Sequence, residues 1–184
     1  MAAGSRPSAT AVRPVAAASG DRDVVITRIL DAPRELVWRA WTEAQHFGQW
    51  WGPKVFTNPV CTIDLRVGGA YRVVMRSPDG VDYPITGVFQ EIKAPERLVM
   101  TMDCSGHPPE WHDMLKPGRA PGENNPAGIM RETVTFAARG ARTRLTIHIR
   151  MISTEIRDSM VKMGMNEGWS QSLERLAALV ADLK

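Results

Sequence analysis

The chain predicts an α+β fold in which a curved antiparallel sheet wraps around one long C-terminal helix, with two short helices after the first strand. Three observations carry this. From Val60 onward the apolar residues recur at every second position, in segments parted by Gly68-Gly69, Pro78-Asp79-Gly80, Ala94-Pro95-Glu96 and Ala138-Arg139-Gly140, so hairpin follows hairpin. At the end of the chain Met165, Trp169, Leu173, Leu176, Val180 and Leu183 recur at three- and four-residue spacing, the seam of a helix over about 154–183. Between the first strand and the hairpins, Leu36, Val37, Ala40, Trp41 and Ala44 follow a helical period.

The elements follow in order. Residues 24–30 read as a strand, and Asp31-Ala32-Pro33 supplies a cap-like residue and an early proline, the usual start of a helix. A second short helix around 46–51 is ended by Gly52-Pro53. Strands are expected at about 60–66, 70–76, 82–92, 97–104, 129–137 and 143–151. Tyr71, Val73 and Met75 share one face of their strand, as do Leu98, Met100 and Met102, Val134 and Phe136, and Leu145, Ile147, Ile149 and Met151. The opposite faces carry Arg72, Thr101, Thr135, Thr146, His148 and Arg150, so one side of the sheet faces solvent. A curved sheet and a straight helix meet fully only at one end, which leaves a cavity at the other.

Domain organisation is simple. Residues 1–20 hold Ala, Ser, Pro and Gly with Arg6 and Arg13, no acid and no aromatic, and are expected to be disordered; Pro7 and Pro14 interrupt any amphipathic targeting helix. Residues 21–184 form one domain, broken by a long proline-rich segment at 105–128 whose Trp111 and Met114 give it something to bury. The net charge of +3 owes two units to Arg6 and Arg13, so the folded part is close to neutral. Its densest basic cluster, 139–144, lies at a turn, and nothing points to nucleic acid. No apolar run approaches membrane-spanning length and no secretory segment follows the start, so the default compartment is the cytoplasm. Cys61 and Cys104, in a chain with an adequate core, are expected to be reduced thiols.

The candidate site residues are those on faces that must converge. Trp41, Trp50, Trp51, Phe56 and Tyr71 offer flat aromatic surface, either as core or as a pocket wall. Met75, Met100, Met102, Met160 and Met163 fall on the strands and helix that face one another, where thioethers fill irregular cores or adapt to ligands. Trp111 brings an aromatic from the 105–128 segment, and Glu167 flanks the helix seam, as an exposed helix residue or a carboxylate near the cavity. His107, Glu110, His112 and Asp113 are metal-type ligands, but their spacing matches no standard zinc arrangement, and no metal is expected. His46 and His148 stand alone and read as solvated. No Ser-His-Asp order, P-loop or dinucleotide glycine pattern occurs, and no cofactor is expected.

The element order, with Trp38-Arg39-Ala40-Trp41-Thr42, the double tryptophan, Arg66-Val67-Gly68-Gly69-Ala70-Tyr71-Arg72, Gly87-Val88-Phe89-Gln90-Glu91-Ile92, Pro95-Glu96-Arg97-Leu98, Thr143-Arg144-Leu145-Thr146 and Gly168-Trp169, resembles the SRPBCC superfamily. Over about 22–184 it is similar to the branch named for the C-terminal domain of the activator of heat-shock-protein ATPase. The resemblance implies a helix-grip (START-like) fold with a deep pocket between the long helix and the concave sheet. It implies function only as a set of classes. The first is a module binding an apolar or aromatic small molecule, gated by 105–128. The second is an enzyme resembling polyketide cyclases, with Glu167, His112 or Tyr83 moving protons. The third is a co-chaperone or protein-interaction domain with a heat-shock ATPase as partner and Trp111 as its anchor.

Overall fold

The computed structural model describes residues 21–183, so the expected tail at 1–20 lies outside the described residues. Strand β1 (Asp23–Leu30) leads into two short helices, α1 (Arg34–Thr42) and α2 (Ala44–Trp50). Six strands follow: β2 (Thr57–Ile63), β3 (Ala70–Arg76), β4 (Asp82–Lys93), β5 (Arg97–Asp103), β6 (Ile129–Arg139) and β7 (Arg142–Arg150). Helix α3 (Pro109–Leu115) lies between β5 and β6, and α4 (Thr154–Lys162) and α5 (Met165–Asp182) close the chain.

The sheet is antiparallel with order β1-β7-β6-β5-β4-β3-β2. The meander from β2 to β7 is what the turn signals dictate, and β1 returns to pair β7 from Asp23↔Arg150 to Leu30↔Thr143. Since β1 and β2 occupy opposite edges, α1 and α2 must cross the concave face between them. The alternation then sends Val73, Leu98, Val134, Leu145 and Ile147 inward to complete burial, where they meet Leu173 and Leu176 of α5 in one apolar core. Arg72 and Arg150 stand exposed on the other face.

Three expectations change in detail. Strand β2 begins at Thr57 instead of residue 60, because the Asn58 side chain donates to the Gly48 and Trp51 carbonyls and ties the strand to the end of α2. Helix α1 is entered through Pro33 with no side-chain cap, so Asp31 does not serve as one. The long helix at 154–183 is two helices. Gly164 has φ +93°, a left-handed backbone that ends α4 and redirects α5, while Ser153 caps α4 by accepting from the Ile156 N–H.

Candidate functional site

The break between α4 and α5 sits over the open end of the sheet, and a cavity of about 240 Å³ lies beneath it. Its walls are Trp51 to Pro53 after α2, Met75 on β3, Ile85 on β4, Met102 and Cys104 at the end of β5, Trp111 on α3, Met130 on β6, Met160 and Met163 from α4, and Met165, Gly168, Trp169 and Ser172 from α5. Six of the chain's ten methionines are among them. The floor is the cross-strand pair Met102↔Met130. The Ser172 hydroxyl is occupied by the Gly168 carbonyl, at 2.8 Å, so the lining offers little polar chemistry.

The rim is held by Arg175 of α5. Its two terminal guanidinium nitrogens lie 2.8 to 3.3 Å from the carbonyls of Gln49, Trp51, Gly52, Pro53 and Phe56 and share their N–H donors among them, at the place where α2 ends and its last carbonyls lack helical partners. At Gly52, φ is +86°, a left-handed backbone that requires glycine, and a Cβ there would also push the Met75 sulfur, 2.8 Å away, from its place on the cavity wall. The sequence reading did not single out Arg175. An arginine on the polar side of a helix seam gives no signal of what it will reach.

Of the candidate residues, Trp51, Met75, Met102, Trp111, Met160 and Met163 line the cavity. The others lie elsewhere. Trp41 and Trp50 are core: Trp41 packs against Trp50, Trp51, Phe47, Phe136 and Trp169, and the Trp50 Nε1–H donates to the Ala40 carbonyl at 2.8 Å. Tyr71 lays its ring across β4 at Gly87, where any Cβ would collide with the ring and with the Thr101 carbonyl oxygen, and its hydroxyl donates to that carbonyl at 2.8 Å. Met100 is buried one inward position beyond the floor. Phe56 is half-buried outside the cavity, against Tyr83 at 5.8 Å. Glu167 is exposed and accepts from Gln171, being turned from the cavity by one position of the helix.

The insertion packs inward. Trp111 lies between His107 at 4.4 Å and His112 at 5.1 Å, and Tyr83 adds a fourth ring at 5.4 Å from His107. Both histidines are buried with unpartnered ring nitrogens, and burial, helped by His112, pushes His107 down to about 4 against the opposing pull of Asp103. Among the described residues no three His, Cys, Asp or Glu side chains gather as a metal site, and Asp113 pairs with Arg119 at 2.7 Å. His46 and His148, read as solvated, instead lie 3.1 Å from Glu43 and from buried Asp23.

A buried acid without a partner was also missed. Glu132 of β6 is fully buried, neither carboxylate oxygen has a hydrogen-bond partner, and burial pushes it up to about 8. A signal existed: Met130, Glu132, Val134 and Phe136 occupy alternate positions, so the inward register of β6 contains a glutamate.

The sequence of the chain matches a family model over residues 31–181, the activator of Hsp90 ATPase homolog 1-like protein. The chain belongs to that family. Its helix-grip fold, with a seven-stranded antiparallel sheet and a C-terminal helix, is the family's. A crystal structure of a Nitrosomonas europaea protein is 27% identical, covers 89% of this chain and 97% of its own, and superposes with a TM-score of 0.71. A Chromobacterium violaceum protein is 28% identical over 86% of this chain and 96% of its own, with a TM-score of 0.68. A solution structure from Arthrobacter aurescens is 27% identical over 88% and 87%, with a TM-score of 0.72. No curated protein matches the chain. Among the described residues no helix is long and apolar enough to cross a membrane.

Proposed function

We propose that this family member binds an apolar or aromatic small molecule in the cavity beneath the α4–α5 break. The observation that carries the reading is the lining: thioethers from β3, β5, β6 and both C-terminal helices converge with Trp51, Trp111 and Trp169 on space that no side chain fills. Flexible, polarizable methionines adapt to an occupant, and flat indoles hold one. The volume, just under the ~300–1,000 Å³ usual for drug-sized ligands, sets the occupant at the small end. The inward packing of Trp111 favours this over a protein-docking role, since the ring proposed as a partner's anchor is engaged by His107 and His112. Glu167, His112 and Tyr83, the proton movers of a cyclase-like reaction, are all outside the lining.

Gly168 gives a direct test. It lines the cavity from within α5, and a Cβ there meets nothing within 4 Å. Gly168→Leu places a side chain in the empty space and improves helix propensity by roughly 0.5–1 kcal/mol. The expected result is a melting temperature equal to or above wild type, with loss of the ligand-induced stabilisation and tryptophan quenching that small bicyclic aromatics produce in wild type. A wild-type protein that neither stabilises nor quenches with any of a broad apolar panel would overturn the proposal.

A further inference from the structure

Among the described residues two carboxylates are buried, and their surroundings differ. Asp23 has His148 at 3.1 Å. Glu132 has no partner at either oxygen. Leaving a carboxyl so is expensive, and an apolar residue of the same size would serve packing better. Its position explains what it is near. On the β5–β6 ladder the inward pair Met102↔Met130 is the cavity floor, and the next inward pair is Met100↔Glu132, about 6.7 Å further along the strands, so Glu132 lies behind the floor and outside the lining itself.

The groups facing it are apolar or acidic. Ile149 is its β7 partner, with Ile147 and Leu145 next on that face. Helix α1 packs on β6 with Val37, Trp38, Ala40, Trp41 and Thr42 buried, and the same core takes Trp169, Leu173 and Leu176 from α5, none of them titratable. Tyr71 of β3 and Cys104 beyond β5 are the titratable groups whose own ionisation Glu132 opposes; the tyrosine hydroxyl is taken by Thr101, and the cysteine lines the cavity. Burial alone raises the Glu132 carboxyl, so at neutral pH it is chiefly the neutral acid and has an O–H to donate.

We propose that Glu132 is the polar anchor of the cavity, donating a hydrogen bond past the flexible Met102 and Met130 side chains to the oxygen of an apolar ligand that bears one carbonyl or hydroxyl group. The assignment rests on the ligand-binding reading above and narrows it to a class. A ketone or alcohol supplies the acceptor that the protein itself does not, and the rest of its surface meets thioether and indole.

Three bicyclic probes of one size test it by tryptophan quenching: tetralin, 1-tetralone and 1-aminotetralin. Wild type at pH 6 binds 1-tetralone about tenfold more tightly than tetralin, the worth of one hydrogen bond to a buried group, and this advantage shrinks as pH passes 8. Glu132→Met binds the two equally. Glu132→Gln, which keeps a donor and cannot ionise, retains an advantage that no longer depends on pH. An advantage that survives Glu132→Met, its absence in wild type, or a preference for 1-aminotetralin that grows with pH would each overturn the anchor. Tetralin binding in those cases leaves the cavity reading standing, whereas failure of all three probes removes both.

Discussion

Trp50 and Trp51 are adjacent in sequence and lie in different surroundings. Trp50 is fully buried, stacks its edges against Trp41 and Phe47, and spends its indole N–H on Ala40. Trp51 touches Trp41, Trp50, Phe47 and Trp169 and, unlike Trp50, also lines the cavity. Truncating a packed tryptophan costs about 3–5 kcal/mol, so Trp50→Ala should reach the top of that range in urea unfolding. Trp51→Ala should cost less and lower ligand affinity more. Equal losses of stability would show that Trp51 is packed like its neighbour. Two adjacent tryptophans at a helix end carry no local signal of which is core, and only tertiary contacts, the Trp50 bond to Ala40 and the Trp51 place on the cavity wall, distinguish them. Glu132 was legible by alternation, yet its missing partner was not, because that depends on four elements at once.

At the scale of elements, the hairpins and both short helices could be read because each is signalled locally, by alternation and by turn residues. The break in the C-terminal helix was hidden by its own seam. Met163 and Met165 both turn to the cavity, so apolar spacing runs through the interruption, and only Gly164 after Lys162 marks a helix end. At Gly164 a Cβ meets nothing within 4 Å, so Gly164→Ala tests backbone alone. A left-handed conformation costs an alanine roughly 1–2 kcal/mol, and the variant should lose that much in denaturant unfolding. A neutral result would mean that α4 and α5 straighten into one helix at no cost. Arg175, whose fork shares its donors among five carbonyls at and just after the end of α2, is a second junction of this kind. Arg175→Met, which keeps length and removes every donor, should destabilise by about 3 kcal/mol and weaken binding through the displaced Trp51.

Among the described residues, Glu132 and His107 are buried groups whose displaced titrations fall between about pH 4 and 8, one an acid and one a base, and they shape stability in opposite directions. Glu132 is raised from its ordinary value of 4.5 to about 8, so the native state holds a proton that the unfolded chain releases above about 4.5. Its contribution is complete below that pH and is lost as pH rises through 8, at up to about 1.4 kcal/mol per unit. His107 is depressed from 6.5 to about 4, so the unfolded chain takes up a proton that the native state refuses, and stability rises with pH between those values. From about 4.5 to 6.5 the two slopes cancel, and from 6.5 to 8 only the glutamate acts. Unfolding free energy should therefore be nearly flat across the first interval and fall across the second. Glu132→Gln removes the fall and leaves a rise that levels off near pH 6.5. In His107→Phe, the decline begins near pH 4.5 instead. Urea midpoints measured at half-unit steps from pH 4.5 to 8.5 read both variants against wild type, and a wild-type profile still level between 6.5 and 8 would mean that the carboxyl on β6 is ionised in the folded protein.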